Sequence, residues 1–398
     1  MLFGLDALPL TSPKTGVGHY TAELARALAR CAPSDEFELA YPSTFPALAG
    51  GEGESNKLPE NLKVARVAVG ALGRRWWSVG LPLHARRRGY DLFHGTNYDV
   101  PVWGGCATVL TVHDLSTRLH PETHEARRVF RSRWRLPLMA RAATVIITPT
   151  ESVRRELCQH MTVEPSKVFA VAEAPRRVFA PADETEAREV RRRLGVEGDF
   201  LLAVGTVEPR KNLLALVLAF EELVRRRGEN LRLRLVIAGP RGWLNREFLA
   251  RAEHWVVKDR ITFTGYVSDE DLRALYTSCR AFVYPSLYEG FGLPPLEAMA
   301  CGAPVVASRI PALAETAGGA ALLVPPSDVR ALAEAVEGVL DDAALAARLA
   351  RAGLAHAAKF TWERAARQTL EVYREALRRN SAGPRRAGGD AGAGGELT

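Results

Sequence analysis

Short runs of apolar and β-branched residues alternate with amphipathic helical stretches along most of this 398-residue chain. This alternation is typical of βαβ units, which build parallel sheets with helices on both faces. The pattern restarts in the second half, so the sequence predicts an α/β protein with two doubly wound domains. We expect strands at residues 3–8, 36–41, 64–69, 92–94, 108–112, 144–148 and 168–171, then at 200–204, 234–238, 261–263, 281–284, 304–307 and 321–324.

A segment rich in proline and charge, EAPRRVFAPADE, lies between the two sets of strands and predicts the domain linker. We therefore place the first domain at residues 1–175 and the second at residues 176–358. Residues 359–380 carry apolar side chains at helical spacing and predict a helix that packs on a domain surface. Residues 381–398 are mostly Gly, Ala and Arg, which cannot bury enough surface to offset ordering entropy, so we expect disorder there.

The composition is that of a folded, water-soluble protein, with 47% hydrophobic and 25% charged residues. No apolar run approaches the roughly 18 to 20 residues that a spanning helix requires. The apolar start contains Asp6 and lacks a basic leader, so it predicts a first strand rather than a signal peptide, and hence a cytoplasmic protein. Five scattered cysteines without a C-x-x-C pair argue against both a disulfide framework and a zinc site.

The net charge of +7 favours an anionic partner, which could be nucleic acid, a phosphorylated substrate or an acidic membrane. Basic and aromatic residues are concentrated in two segments of the first half, RRWW at residues 74–77 and RRVFRSRWR at residues 127–135. Such mixtures suit the headgroup layer of an acidic membrane. Solvated helix faces would explain them equally well.

The segment YPSLYEGFGLPPLEAMACGAPVVAS, at residues 284–308, predicts a strand, a turn, a helix and another strand. Gly290 and Gly292 would let a ligand approach the backbone closely, and the amides of the following helix would face an anion. Glu289 and Glu297 flank this turn with seven residues between them, and they suit a sugar hydroxyl and a ribose diol. Alternatively, Glu297 only interacts with the positive helix end, and Glu289 is a solvated loop charge.

In VGTVEPRKNL, at residues 204–213, a second strand passes into a helix. Arg210 and Lys211 lie at the edge where α/β folds bind ligands. Two fixed cations there could hold a diphosphate and stabilise the charge that grows as a sugar leaves. A solvated pair in a loop is the alternative.

In the first half, Gly16 and Gly18 lie between the first strand and its helix, where a G-x-G turn is weak evidence of a cleft. The segment ATVLTVHDLS carries a strand directly into His113 and Asp114. The histidine could bind a substrate hydroxyl, and the adjacent acid could orient it or bind an acceptor, although a buried structural histidine would give the same pattern. His94, at another strand end, is a weaker candidate.

Metal ligands are not evident in the sequence. Asp269 and Asp271 form a D-x-D pair, but Ser268 before them is typical of a helix N-cap with acidic residues in the first turn. Capping explains this pattern better than a metal site.

Together these segments resemble glycosyltransferase family 4, the retaining glycosyltransferases of GT-B fold. GTVEPRKNL and the E-x7-E segment are specific as a pair, GVGHYTAEL and VHDLS agree with the amino-terminal half, and the match covers nearly the whole chain except the tail. The resemblance implies two Rossmann-like domains facing a central cleft, with a carboxyl-terminal helix crossing back to the first domain. It also implies transfer of a hexose from a nucleotide diphosphate sugar without a metal or other cofactor.

Site residues follow from this resemblance. The implied catalytic set is His113, Asp114, Arg210, Lys211 and Glu289. The implied donor-binding set is Gly16, Gly18, Arg210, Lys211, Tyr266, Val267, Glu289, Gly290, Phe291, Gly292, Leu293 and Glu297. In this assignment the two cations bind the diphosphate, Glu297 binds ribose, Glu289 and His113 contact the sugar, and Tyr266 and Val267 face the base.

HDLSTRLHPETH, at residues 113–124, is similar to the bacterial branch that adds mannose or related sugars to O-antigen and exopolysaccharide intermediates. GDP-mannose is therefore the favoured donor, with a UDP-sugar as the other option and a glycan or lipid-linked acceptor. No nucleic acid partner is implied, and we expect a cytoplasmic protein that attaches peripherally to the inner face of the membrane. One departure is AEAP at residues 172–175, where such chains commonly carry an Asn-Gly turn before the hinge.

Two other functions fit the same architecture. A sugar-nucleotide epimerase would need no acceptor, and a non-catalytic nucleotide-sugar-binding protein would fit the charge but leave both glutamates unexplained. The E-x7-E helix together with the RKN turn favours transfer. A dehydrogenase is weaker, because no G-x-G-x-x-G with a downstream ribose-binding acid is present.

Overall fold

A computed structural model describes residues 1–11, 16–48, 58–70, 75–228, 231–240, 242, 246–252 and 254–382. It contains two parallel sheets with helices on both faces, which confirms the predicted pair of doubly wound α/β domains. Each predicted strand is found in the sheet to which it was assigned. The boundary between residues 175 and 176 stays a prediction.

The first sheet has seven strands in the order β3-β2-β1-β4-β5-β6-β7. They are β1 (Leu2–Asp6), β2 (Glu36–Pro42), β3 (Leu62–Val67), β4 (Leu92–Gly95), β5 (Ala107–Thr111), β6 (Val145–Thr148) and β7 (Val168–Ala170). The helices between them are α1 (Gly16–Cys31), α2 (Leu81–Arg88), α3 (Ser116–Leu119), α4 (Ala126–Ala142) and α5 (Glu151–His160). The strand order reverses between β1 and β4, which opens a crevice at their carboxyl ends.

The second sheet has six strands in the order β10-β9-β8-β11-β12-β13. They are β8 (Asp199–Val204), β9 (Leu233–Ala238), β10 (Ile261–Gly265), β11 (Ala281–Tyr284), β12 (Val305–Ser308) and β13 (Leu322–Val324). Its helices are α6 (Glu184–Arg193), α7 (Leu213–Arg227), α8 (Arg246–Ala252), α9 (Asp269–Ser278), α10 (Leu293–Ala300), α11 (Pro311–Ala317), α12 (Val329–Asp341) and α13 (Ala343–Ala357). Here the order reverses between β8 and β11.

Burial explains why several central strands are continuous apolar runs rather than alternating ones. Every residue of β6, β11 and β12 is buried, because helices cover both faces of a parallel sheet. The first strand ends earlier than predicted, at Asp6, because Leu8–Leu10 turns into a 3-10 helix with proline in its first turn.

The last helix, α14 (Trp362–Ala382), follows the second sheet in sequence but packs on the first, as the resemblance implied. Tyr373 is fully buried there, with its ring 5.2 Å from that of Phe3 and its hydroxyl 2.8 Å from His94 Nδ1. His94 Nε2 lies 2.8 Å from Thr111 Oγ1, so His94 is part of the core. The predicted disorder begins too early, since residues 381 and 382 belong to α14, and residues 383–398 lie outside the described residues.

Candidate active site

The carboxyl edges of the two sheets face each other, and loops from both meet there. Thr150, which caps α5, donates through its hydroxyl to the carbonyl of Gly290 at 3.0 Å. The hydroxyl of Tyr288 accepts from the amide of Leu115 at 3.0 Å and donates to Glu156 at 2.6 Å. These hydrogen bonds join the turn between β11 and α10 to the first sheet's loops.

A second link satisfies a helix end across the cleft. The carboxylate of Glu315 on α11 accepts from the amides of Glu151 and Ser152, at 2.8 and 3.0 Å. These amides begin α5 and lack partners within the helix, and a negative charge there is favoured by the helix dipole. Each domain therefore completes backbone hydrogen bonding in the other.

Gly290 lies where the turn after β11 packs against the loop after β5. A Cβ atom there would lie 1.9 Å from the carbonyl oxygen of His113, so no larger residue fits without separating the loops. Gly292 has a φ of +101° at the N-cap of α10, a conformation that other residues rarely adopt. The geometry thus explains why glycine occupies positions 290 and 292.

The basic turn after β8 is brought directly onto Glu289. Asn212, with a φ of +53°, ends this turn, and its side-chain amide donates to the carbonyls of Pro285 and Pro326 at 3.1 and 2.8 Å. The turn thereby places Arg210 Nη1 2.8 Å from Glu289 Oε2 and Lys211 Nζ 2.7 Å from Oε1.

Tyr284 completes this group, donating its hydroxyl to Glu289 Oε1 at 2.8 Å and accepting from Lys211 at 2.7 Å. We call Arg210, Lys211, Tyr284 and Glu289 the Glu289 cluster. Burial opposes a charge on Glu289, but Arg210 and Lys211 outweigh it and lower the pKa of its carboxyl to about 2. Burial lowers the pKa of Lys211, and Glu289 offsets part of that effect. The cluster thus holds a buried carboxylate between two cations, and Arg210 Nη2 also pairs with the buried Glu208 at 2.7 Å.

Glu297 lies on α10, buried, with Arg176 Nη2 3.2 Å from its Oε1. Arg176 also donates to Asp269 in the first turn of α9 and lies 3.2 Å from His19 Nε2 on α1. Burial raises the pKa of Glu297, and Arg176 counters the rise. Arg176 was not singled out in the sequence, because its partners lie 93 and 121 residues away.

The D-x-D pair is explained by capping and ion pairing. Ser268 Oγ accepts from the amide of Asp271 at 3.1 Å, which confirms the predicted N-cap of α9. Asp271 pairs with Arg193, and Asp269 with Arg176. Both acids thus have basic partners.

His113 follows β5 and is oriented by a residue that the sequence did not indicate. Its Nδ1 lies 3.1 Å from Glu173 Oε1 and its Nε2 2.8 Å from the carbonyl oxygen of Thr96. The interpretation that Asp114 orients His113 is wrong, because Asp114 Oδ1 instead accepts from the amide and hydroxyl of Ser116, at 2.9 and 2.7 Å. A role for Asp114 in acceptor binding stays a prediction.

The remaining predicted donor residues also follow strand ends. Tyr266 and Val267 come directly after β10, and the Tyr266 side chain is 71% exposed. Gly16 begins α1, and a Cβ there would meet no atom within 4 Å. Gly18, two residues further, is buried. Residues 12–15, which precede them in the sequence, lie outside the described residues.

A cavity of about 620 Å³ lies in the first domain beside Asp114 and the loop after β4. Polar and charged side chains line it, among them Asn97, Tyr98, Ser116, Arg127, Arg128 and Arg131, together with the carboxylates of Asp99, Asp114 and Glu125. Arg127 and Arg131 form no ion pair with any residue in the described part of the chain. This wall suits an acceptor with hydroxyl or anionic groups.

Beside the cavity, side chains of the two basic and aromatic segments form one exposed surface. We call it the aromatic patch; it contains Arg75, Trp77, Phe130, Trp134 and Leu138. Phe130 and Trp134 are 68% and 70% exposed. Trp76 is buried instead, and Arg74 lies outside the described residues.

Two Rossmann-like sheets with a basic turn and a two-glutamate helix at their shared cleft define a GT-B glycosyltransferase. Solved structures agree on this fold. Sucrose-phosphate synthase from Thermosynechococcus elongatus has a TM-score of 0.74 at 23% identity, covering 95% of this chain and 99% of its own. HepE from Anabaena, solved with UDP-glucose, has a TM-score of 0.71 at 19% identity, with 94% and 99% covered.

The sequence comparisons identify the family. Residues 14–173 match Glycosyltransferase Family 4, and residues 186–356 match Glycosyl transferases group 1. O-antigen chain mannosyltransferase B from Escherichia coli is 33% identical over 384 residues, covering 92% of this chain and 97% of that protein. The chain belongs to glycosyltransferase family 4, and it is a hexosyltransferase. Within the described ranges, no helix is both long and apolar enough to cross a membrane.

Replacement of Gly290 tests the closed contact. In Gly290→Ala, the added methyl would overlap the His113 carbonyl, so the loops must separate and transfer should fall on the order of 100-fold. Small-angle scattering should show a larger radius of gyration. Gly319→Ala is the control, because a Cβ there meets nothing within 4 Å. Normal scattering and normal transfer in Gly290→Ala would show that this contact is not needed.

Proposed function

We propose that this enzyme transfers mannose from GDP-mannose, with retention, to a glycan or lipid-linked acceptor of a cell-surface polysaccharide. The observation that carries the proposal is the Glu289 cluster, which sets two cations beside a carboxylate at the cleft. The mannosyltransferase identity of the E. coli relative supports mannose as the sugar. Because HepE was solved with UDP-glucose, a UDP-sugar is the alternative donor class.

The cluster supports the donor chemistry as follows. Arg210 and Lys211 would bind the diphosphate while Glu289 accepts from hydroxyls of the sugar, so the charges now paired with each other would be shared with the ligand. Cations held in a buried site stabilise charge growing on the leaving diphosphate without reorganisation of water. Backbone amides at the start of α10 would add to this effect. The chain's own charges thus perform the work for which other transferases use a metal.

Glu297 would bind the ribose hydroxyls. Its contact with Arg176 supports this role, because the guanidinium keeps one side of the carboxylate occupied and balances its charge in the buried site. The backbone at Tyr266 and Val267 would lie toward the base, and Gly16 and Gly18 beside the phosphates.

The cavity beside Asp114 would receive the acceptor. It adjoins the loop that carries His113, and its arginines suit an acceptor with a phosphate or diphosphate. Arg131 and Arg135 lie between this cavity and the aromatic patch, since they border both. A lipid-linked acceptor could therefore enter from a membrane against which the patch rests, and we propose peripheral attachment to the cytoplasmic face.

Donor identity can be tested by thermal stability. GDP-mannose should raise the melting temperature more than UDP-glucose at equal concentration, because a ligand that binds only the folded state stabilises it by mass action. Transfer from the stabilising donor should persist in EDTA, since the positive charge comes from Arg210 and Lys211. Stabilisation by UDP-sugars alone would contradict the proposal that GDP-mannose is the donor. Activity lost in EDTA but restored by magnesium or manganese would contradict metal independence.

Two substitutions should fail in different ways. Lys211→Ala removes a cation that acts on growing charge, so kcat should fall about 100- to 1,000-fold with a smaller change in donor affinity. Glu297→Ala removes a contact that is equally strong in the ground state and the transition state, so it should weaken donor binding by about 1.5–3 kcal/mol. The donor KM should therefore rise roughly 10- to 150-fold. Glu334→Ala, at a surface ion pair on α12, is the control. Steady-state kinetics separate the effects, and wild-type constants in either site variant would show that the donor is misplaced.

The aromatic patch can be tested with vesicles. The wild type should sediment with anionic phosphatidylglycerol vesicles and less well as salt rises, because arginine–phosphate attraction is screened. Phe130→Ser with Trp134→Ser should weaken sedimentation, whereas Val256→Ser, at an 88% exposed residue of the second domain, should not. Equal binding to neutral phosphatidylcholine vesicles would contradict the electrostatic part of the proposal.

A further inference from the structure

The imidazole of His113 lies between two groups that can only accept hydrogen bonds. Nδ1 faces a carboxylate oxygen of Glu173 at 3.1 Å, and Nε2 faces the backbone carbonyl of Thr96 at 2.8 Å. A neutral imidazole has one N–H, so one of these contacts would set a nitrogen lone pair against an oxygen lone pair. With Glu173 ionised, only the imidazolium, with two N–H donors, satisfies both contacts.

We propose that Glu173 is a positioning residue that holds His113 as an imidazolium at the edge of the donor site. Its use in catalysis rests on the proposed function, whereas the protonation state itself does not. Glu173 lies in the AEAP segment, the place where the sequence departs from the family pattern. The departure thus gains a physical role.

The other groups around the ring agree with a charged histidine. The titratable groups facing it from the packed elements are Tyr20 on α1, His94 on β4, Tyr98, Asp114 and Glu173. Burial lowers the pKa of His94 to about 3, so it stays neutral and adds no opposing charge. Burial also opposes the charge on His113, but the carboxylate of Glu173 outweighs the effect of burial, so the pKa of His113 is raised. The Tyr20 ring packs on the imidazole in a T-shaped arrangement, with ring centroids 4.7 Å apart and ring planes at 88°.

The imidazolium lies where its charge can act on the donor. The backbone carbonyl of His113 faces Gly290, the residue after Glu289, so His113 belongs to the loop that lies against the turn proposed to hold the sugar. A charged N–H makes a stronger hydrogen bond than a neutral one. Nε2–H could turn from Thr96 to a sugar hydroxyl while Nδ1–H remains anchored on Glu173.

Nitrogen NMR on the full chain, labelled with ¹⁵N-histidine and free of nucleotide, measures the protonation directly. His113→Gln assigns the signal. In the wild type at pH 7.5 both ring nitrogens should have imidazolium shifts. In Glu173→Gln the amide can donate to Nδ1, so a neutral ring is satisfied, and the titration midpoint should fall by about 1–3 pH units. Glu38→Gln is the control, because Glu38 on β2 is a carboxylate that pairs with a different histidine, His84 on α2. It should leave the His113 midpoint unchanged.

The pH profile of transfer provides a readout that a merely structural role would not move. Since loss of Glu173 lowers the His113 pKa, the protonated form disappears at lower pH, and the alkaline decline of kcat should shift down with it. Glu173→Asp keeps the charge and should restore part of the shift. A neutral His113 in the wild type, or an unchanged midpoint in folded Glu173→Gln, would overturn the proposal.

The outcomes also separate this proposal from the proposed function. If His113 protonation follows Glu173 but no nucleotide sugar is consumed, the transferase assignment fails and the positioning role stands. If transfer is normal but the His113 ring is neutral, the transferase assignment stands and the positioning role of Glu173 fails. Should Glu173→Gln fail to fold, the wild-type titration alone decides.

Discussion

Glu289 is a buried carboxylate that stays charged because Arg210, Lys211 and Tyr284 surround it. Removing one partner from such a group leaves an uncompensated buried charge, which is far more costly than losing a surface ion pair. The cluster therefore fixes two turns at once, the one after β8 and the one after β11. Since these strands are neighbours at the switch point of the second sheet, the charges meet where a ligand would bind.

The same logic extends across the cleft. Glu315 accepts hydrogen bonds from the amides in the first turn of α5. Arg176 pairs with Glu297 and Asp269 and also contacts His19 on α1. These are polar contacts rather than a packed apolar interface. Water can replace the exposed contacts of Glu315 at small net cost, which permits relative motion of the domains, whereas opening the buried Arg176–Glu297 pair costs more. The closed arrangement is thus specific in geometry without being locked.

Local patterns allowed much of the fold and part of the site to be predicted. The buried strands are apolar runs, and the turns at Arg210 and Gly290 are contiguous motifs, so both were visible in the sequence. Glu173 and Arg176 were not, because a carboxylate 60 residues from its histidine and an arginine 121 residues from its glutamate leave no local pattern. Trp76 shows the opposite error, since its neighbours suggested exposure while the fold buried it.

The path of α14 has a consequence for how the protein is made. Ala366, Tyr373 and Ala376 belong to the core of the first sheet, yet they are translated after the whole second sheet. Domains generally fold as units while the ribosome is still elongating the chain. The first sheet must therefore wait, with the surface later covered by α14 exposed to solvent, until the second sheet has been synthesised. In this chain the part that emerges first is the part that is finished last.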